Sequence, residues 1–238
     1  MATSIGKAVL KTVLATGAFA AVHSLLASRT AKRTAAGLFG TTNADGWYRV
    51  AYIAQSFATA GLLVDYLRRQ PSVPLYHVRG PAAAVMHAAQ VAGLAHATMG
   101  ARQVGILRIT GLENLRAWIK GQGVPPMPEA QGPGFGGDSV NRRSGPFALS
   151  RHPLNLSPLP VLWLWPRMNS TLLTFNIAST VYLVVGSLHE EARLSEVEGP
   201  NYEAYRESGV PFYWPSPTAN PLRTVSDLSE DARYQDAT

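Results

Sequence analysis

Ser150-Arg-His-Pro-Leu-Asn155, His189-Glu-Glu-Ala-Arg-Leu194 and Gly199-Pro-Asn-Tyr-Glu-Ala-Tyr205 punctuate the stretch on which the fold reading turns. Between the first two lies apolar sequence. Residues 156 to 166 are apolar but carry Pro158, Pro160 and Pro166, and are short for a bilayer crossing. Residues 168 to 188 are long enough, since a crossing needs about 20 residues. The pattern predicts a helical hairpin turning near Trp165-Pro-Arg-Met168. Such a hairpin returns Glu190 and Glu191 to the membrane face that holds Arg151 and His152.

The rest of the chain fits a membrane bundle. Charged residues are 15% of the 238, against about 25% in soluble domains. Hydrophobic residues are 46% and mean hydropathy is only +0.01, because long polar loops offset clustered apolar runs. Residues 8 to 28, 49 to 67 and 81 to 100 are three further spans, the last rich in small residues and opened by Pro81. The expected fold is therefore all-α, a polytopic bundle of about five transmembrane helices. The segment 29 to 49 is expected as a basic polar loop, with a turn and helix start at Asn43-Ala-Asp-Gly46. An amphipathic helix is expected from Gly111 to Lys120, followed by a Gly/Pro-rich loop.

These features divide the chain into 1–100 (transmembrane helices), 101–149 (amphipathic helix and loop), 150–215 (hairpin and site segment) and 216–238 (an acidic tail with little to pack). Segment 101–155 holds seven Lys and Arg residues, which places it and the C-terminal segment in the cytoplasm. The chain has no cysteine, which excludes disulfides, thiolate metal sites and a cysteine nucleophile. A net charge of +6 without a basic stripe interleaved with aromatics argues against nucleic-acid binding. No metal site is expected.

Chemistry concentrates at the hairpin ends. Two adjacent carboxylates, Glu190 and Glu191, repel unless cations stand near, and Arg151 and Arg193 are candidates. Pro153 fixes how His152 points. Tyr202 and Tyr205 share one side of a short helix. Carboxylates beside an aromatic wall suit a ligand with a purine and a cationic centre. Taken singly, each feature also has a plain reading as interfacial charge or aromatic belt.

In this order, Arg151-His152-Pro153, the hairpin, Glu190-Glu191-x-x-Leu194, Gly199-x-x-Tyr202-x-x-Tyr205 and Pro211 resemble the C-terminal signature of integral-membrane methyltransferases. That family includes isoprenylcysteine carboxyl, phospholipid N- and methanethiol S-methyltransferases. The resemblance covers about a third of the chain. His23-Ser24-Leu-Leu-Ala-Ser28, Trp47-Tyr-Arg49 with Tyr52, and Arg102-Gln103-Val104-Gly105 are similar to the methanethiol branch, and the His23 segment also resembles NnrU-like membrane proteins.

The resemblance implies S-adenosylmethionine as cofactor at the cytoplasmic face, contacted by Arg151, His152, Pro153, Asn155, Glu190, Glu191, Tyr202 and Tyr205. It implies a small or lipophilic acceptor arriving through the bilayer: a thiol, an isoprenylcysteine carboxylate or a lipid amine. His23, Arg151 and His152 are the candidate catalytic residues. A thiol must lose its proton to react, and His23, His87, His96 or His152 can take it. Asn155 is a departure: the family often has Tyr two residues after this Pro, and Leu156-Ser157-Pro158 stands where a Gly commonly follows. That implies different cofactor contacts there, or a different acceptor. The rival reading is an NnrU-like haem-binding protein, an isomerase or redox factor, with histidines as axial ligands. A third is a membrane scaffold without activity.

Overall fold

The computed structural model describes residues 2–127 and 145–214. Most of the Gly/Pro-rich loop and the acidic tail lie outside the described residues. The fold is an all-α membrane helical bundle with one short strand pair. Three helices are long and apolar enough to cross a membrane: Thr3–Ala27, Thr41–Arg68 and Ser170–Glu198. Their large apolar side chains, Leu14, Phe57, Leu62 and Val181 among them, lie exposed on the protein as lipid-facing residues do. The helix over the expected third span, Gly80–Val104, is long, but His87, Gln90, His96 and Arg102 dilute its apolarity. Pro158 and Pro160 limit the segment after Pro153 to two short helices.

The chain divides into two compact units. The first comprises Met1–Ala88, Ile106–Pro128 and Leu162–Tyr182; the second Ala89–Gly105, Glu129–Val161 and Leu183–Thr238. In the first unit, α1 (Ala2–Ala27) runs to α2 (Arg29–Phe39), and α3 (Thr41–Arg68) follows directly. This corrects the basic loop expected over 29–49. Ser28 caps α2, its Oγ accepting from Ala31 N at 3.1 Å. The basic residues Arg29, Lys32 and Arg33 share one side, and Ala31, Ala35 and Leu38 the other, so amphipathic spacing holds the segment helical. Gly40, at φ 82°, makes the break between α2 and α3, three residues earlier than the expected turn at Asn43.

Leading on from α3, β1 (Pro74–His77) precedes α4 (Gly80–Val104), α5 (Ile106–Thr110) and α6 (Leu112–Ile119). The last is the expected amphipathic helix. It packs on the start of α3, where Trp118 Nε1 donates to Asn43 Oδ1 at 2.9 Å. Buried Asn114 donates to the carbonyls of Asp45 and Pro125 at 3.0 and 2.7 Å.

Past the loop come α7 (Pro146–Leu149), α8 (Pro153–Leu156), α9 (Pro158–Trp163), β2 (Arg167–Asn169), α10 (Ser170–Glu198) and α11 (Pro200–Glu207). The expected turn near 165–168 holds as a bend at Pro166 and then runs into a strand: β2 pairs antiparallel with β1, His77 opposite Arg167 and Tyr76 opposite Met168. Pro71, Pro74 and Pro166 stop the helices here and leave extended backbone to pair. Helix α10 also exceeds its expected end at 188. Nothing breaks it until Gly199 (φ 54°) and Pro200, so Glu190 and Glu191 lie inside the helix rather than beyond it.

Candidate functional site

The second unit gathers the C-terminal motif. Ser150 Oγ donates to Phe212 O at 3.0 Å and accepts from His152 N at 3.1 Å, and Arg151 N donates to Pro211 O at 2.9 Å. These bonds bind the Arg-His-Pro turn to the segment after α11. Pro153 then opens α8, where its missing N–H costs nothing.

Arg151 Nε donates to Glu191 Oε1 at 2.7 Å, and Nη1 to Val210 O at 2.8 Å. His152 stands between both carboxylates, with Nε2 3.1 Å from Glu191 Oε1 and Nδ1 3.5 Å from Glu190 Oε2. Its side chain is 2% exposed, against 15% for Arg151, 14% for Glu191 and 19% for Glu190. Phe212 covers the pair, its ring centroid 4.9 Å from the His152 ring and 5.8 Å from the Arg151 guanidinium carbon. Two cations and two carboxylates thus balance in one largely dry cluster. Burial opposes the His152 charge, but hydrogen bonds to Glu190 and Glu191 and their charges outweigh it and raise its pKa.

A pH dependence follows with a definite sign. A raised folded pKa stabilises the fold fully below the unfolded value near 6.5, and that stability is lost as pH rises through the folded value. Melting of the detergent-purified protein should fall from mildly acidic to mildly alkaline pH. His152→Gln should remove that part of the slope; an unchanged slope would show that His152 stays neutral.

The other expected contacts fall around this cluster. Tyr202 and Tyr205 do share a face of α11, their centroids 6.2 Å apart, but they are buried with Leu194 and Val210 as a core. Tyr205 OH donates to Phe147 O at 2.6 Å. Burial, then the charge of Glu191 and its hydrogen bond, raises the Tyr202 pKa, so this phenol stays protonated. Asn155 donates to Ser187 Oγ at 2.8 Å, and Ser187 Oγ lies 2.9 Å from Tyr213 OH. Ser150, Ser187, Phe212 and Tyr213 escaped the sequence reading; the aromatic pair after Pro211 was the available signal.

His23 belongs to the first unit. Its Nδ1 lies 3.0 Å from Ser56 Oγ and its Nε2 2.6 Å from Tyr52 OH. Ser56 Oγ spends its own hydrogen on Tyr52 O at 2.7 Å, so Nδ1 carries the proton and Nε2 accepts from the phenol. Both nitrogens of His23 are thus occupied, and His96 Nδ1 is 2.8 Å from Ser157 Oγ. Among the described residues no group of three or more histidine, aspartate or glutamate side chains is placed to hold a metal ion.

The fold and this cluster define an all-α membrane protein with a half-buried site of four ionisable side chains. Comparison with known proteins adds a second line. The chain is 33% identical over 75 residues to the methanethiol S-methyltransferase of Pseudomonas deceptionensis, covering 32% of this chain and 28% of that protein. It is 28% identical over 213 residues to methanethiol S-methyltransferase 2 of Bradyrhizobium diazoefficiens, covering 90% of this chain and 75% of that protein. The first match thus spans less than a third of that relative's length. These likenesses support a membrane-methyltransferase-like chain. No family model matches, and no solved structure matches.

Proposed function

We propose that the protein is a membrane methyltransferase using S-adenosylmethionine, with a small thiol as acceptor. The observation that carries this reading is the Arg151–His152–Glu190–Glu191 cluster, which supplies carboxylates and a guanidinium together. The likeness to two proteins named methanethiol S-methyltransferase supports the thiol.

The donor set fits the cofactor's chemistry. S-adenosylmethionine carries a sulfonium, an ammonium, a carboxylate and ribose hydroxyls, and it supplies an electrophilic methyl group. Glu190 and Glu191 remain partly exposed and offer acceptors for cations and hydroxyls. Arg151 offers a donor for a carboxylate while anchoring Glu191. His152 is locked by both glutamates, and its proposed role is to hold them apart and ionised. Tyr202 and Tyr205 anchor α11 in the core that they form with Leu194 and Val210. Asn155, where the resembled family often has Tyr, is tied to Ser187 and adds no ring.

For a thiol acceptor, His96 of the second unit is the proposed proton acceptor: Ser157 Oγ spends its hydrogen on Pro153 O, so His96 Nδ1 holds the ring proton and Nε2 keeps the lone pair. Alignment and exclusion of water carry most of such a displacement, so Arg151 and the glutamates act chiefly by positioning. The histidine partners favour this reading over haem ligation, because His23 and His152 spend both ring nitrogens on the protein itself.

The test is methyl transfer in isolated membranes. Labelled S-adenosylmethionine with methanethiol should yield labelled dimethyl sulfide, at higher rate than with an isoprenylcysteine or a lipid amine. Equal background product with all three acceptors would overturn the thiol assignment.

A further inference from the structure

Outside this site, the strand pair of the first unit gathers positive charge with no counter-charge among the described residues. Arg167 Nε lies 3.1 Å from His77 Nε2, and Arg79 Nε lies 3.3 Å from His77 Nδ1. Both guanidiniums are donors only, whereas a neutral imidazole has one lone pair. At most one of the two contacts can be a hydrogen bond. A doubly protonated ring would accept neither. Desolvation, then the charges of Arg79 and Arg167, lowers the His77 pKa and keeps the ring neutral at pH 7.

Among the described residues, neither Arg79 nor Arg167 pairs with an aspartate or glutamate. Arg69, nearby in sequence, does have a partner in Asp65 at 2.7 Å. The 25-residue helix α4 begins at Gly80, immediately after Arg79, and its N-terminus adds positive potential. Three cationic elements therefore converge on one exposed spot.

The spot stands at a membrane boundary. Arg167 lies three residues before α10, and β1 follows soon after α3 ends at Arg68; both helices are candidate spans. Tyr76 and Trp165 flank it at 41% and 45% exposure, and Leu75 and Val73 are exposed beside them. Aromatic and basic residues side by side at a helix end match the headgroup region of a bilayer.

We propose that Arg79, Arg167 and His77 form a phosphate-binding site, placed to hold the headgroup of an anionic phospholipid. Each guanidinium can present two N–H donors to phosphate oxygens, and the imidazole N–H a further one. The anion accepts from both guanidiniums and from the imidazole N–H, and so relieves the contact in which an arginine N–H faces the ring N–H of His77. This site is independent of the methyltransferase reading and stands whether or not methyl transfer is found.

The test is native mass spectrometry of the detergent-purified full chain with phosphatidylglycerol, diacylglycerol of the same acyl chains, or inorganic phosphate. Wild type should hold one phosphatidylglycerol on the order of tenfold more tightly than Arg79→Gln/Arg167→Gln does. Diacylglycerol should bind both alike. Retention of inorganic phosphate by wild type, with no preference for phosphatidylglycerol over diacylglycerol, would keep the phosphate site but assign it to a free anion. Equal phosphatidylglycerol binding by wild type and variant, with no phosphate adduct, would overturn the proposal. If the double variant melts below wild type without lipid, the single variants take its place, each expected to weaken binding roughly threefold.

Discussion

Glu191→Gln should cost about 3 kcal/mol of stability at neutral pH and abolish S-adenosylmethionine binding. One oxygen of Glu191 receives both Arg151 Nε and His152 Nε2. Gln keeps the shape and one acceptor but removes the charge. Two cations, 15% and 2% exposed at the side chain, would then face Glu190 alone. Breaking a buried pair from one side typically costs about 3–5 kcal/mol, and the retained carbonyl places this case at the lower end. Thermal melting in detergent checks the stability, and ligand binding below the variant's melting temperature checks the site separately. A variant as stable as wild type would mean the cluster is solvated rather than mutually dependent. Arg151→Ala should share the defect, because it strips Glu191 of its guanidinium and Val210 O of its donor.

Gly111→Ala should destabilise the first unit by about 2–4 kcal/mol through two separate causes. Gly111 has φ 78°, where a side chain costs about 1 kcal/mol. A Cβ there would also meet Arg49 Cβ at 2.8 Å and Val50 N at 3.2 Å. Overpacking of that kind costs about 1–3 kcal/mol. The contact is not free to open, because Arg49 Nε donates to Ile109 O at 2.5 Å and holds α3 against the α5–α6 turn. Gly37→Ala, with nothing within 4 Å of its Cβ and helical surroundings, should instead leave the melting temperature unchanged or raise it. A melting temperature for Gly111→Ala equal to that of Gly37→Ala would show that this turn is pliant.

The apolar runs made the membrane helices legible, since length and hydropathy are local properties. The Arg-His-Pro and Glu-Glu motifs were legible by their order, and the structure brings them within hydrogen-bonding distance. Three features escaped for physical reasons. Helix α2 was hidden because its polarity resembles a loop until its residues are placed at helical spacing. The β1–β2 pair depends on a contact between residues about 90 apart, which no local pattern reports. The reach of α10 past residue 188 escaped because loss of hydropathy was taken to end the helix, whereas only Gly199 and Pro200 do so. Tyr202 and Tyr205 were correctly placed on one face, yet that face points into a core with Leu194 and Val210.

The most direct measurement is equilibrium binding of radiolabelled S-adenosylmethionine to the detergent-purified protein, with S-adenosylhomocysteine as competitor. The proposed function predicts saturable, competed binding in wild type that disappears in Glu191→Gln while the variant remains folded. No binding by folded wild type, or binding that Glu191→Gln leaves intact, would contradict it.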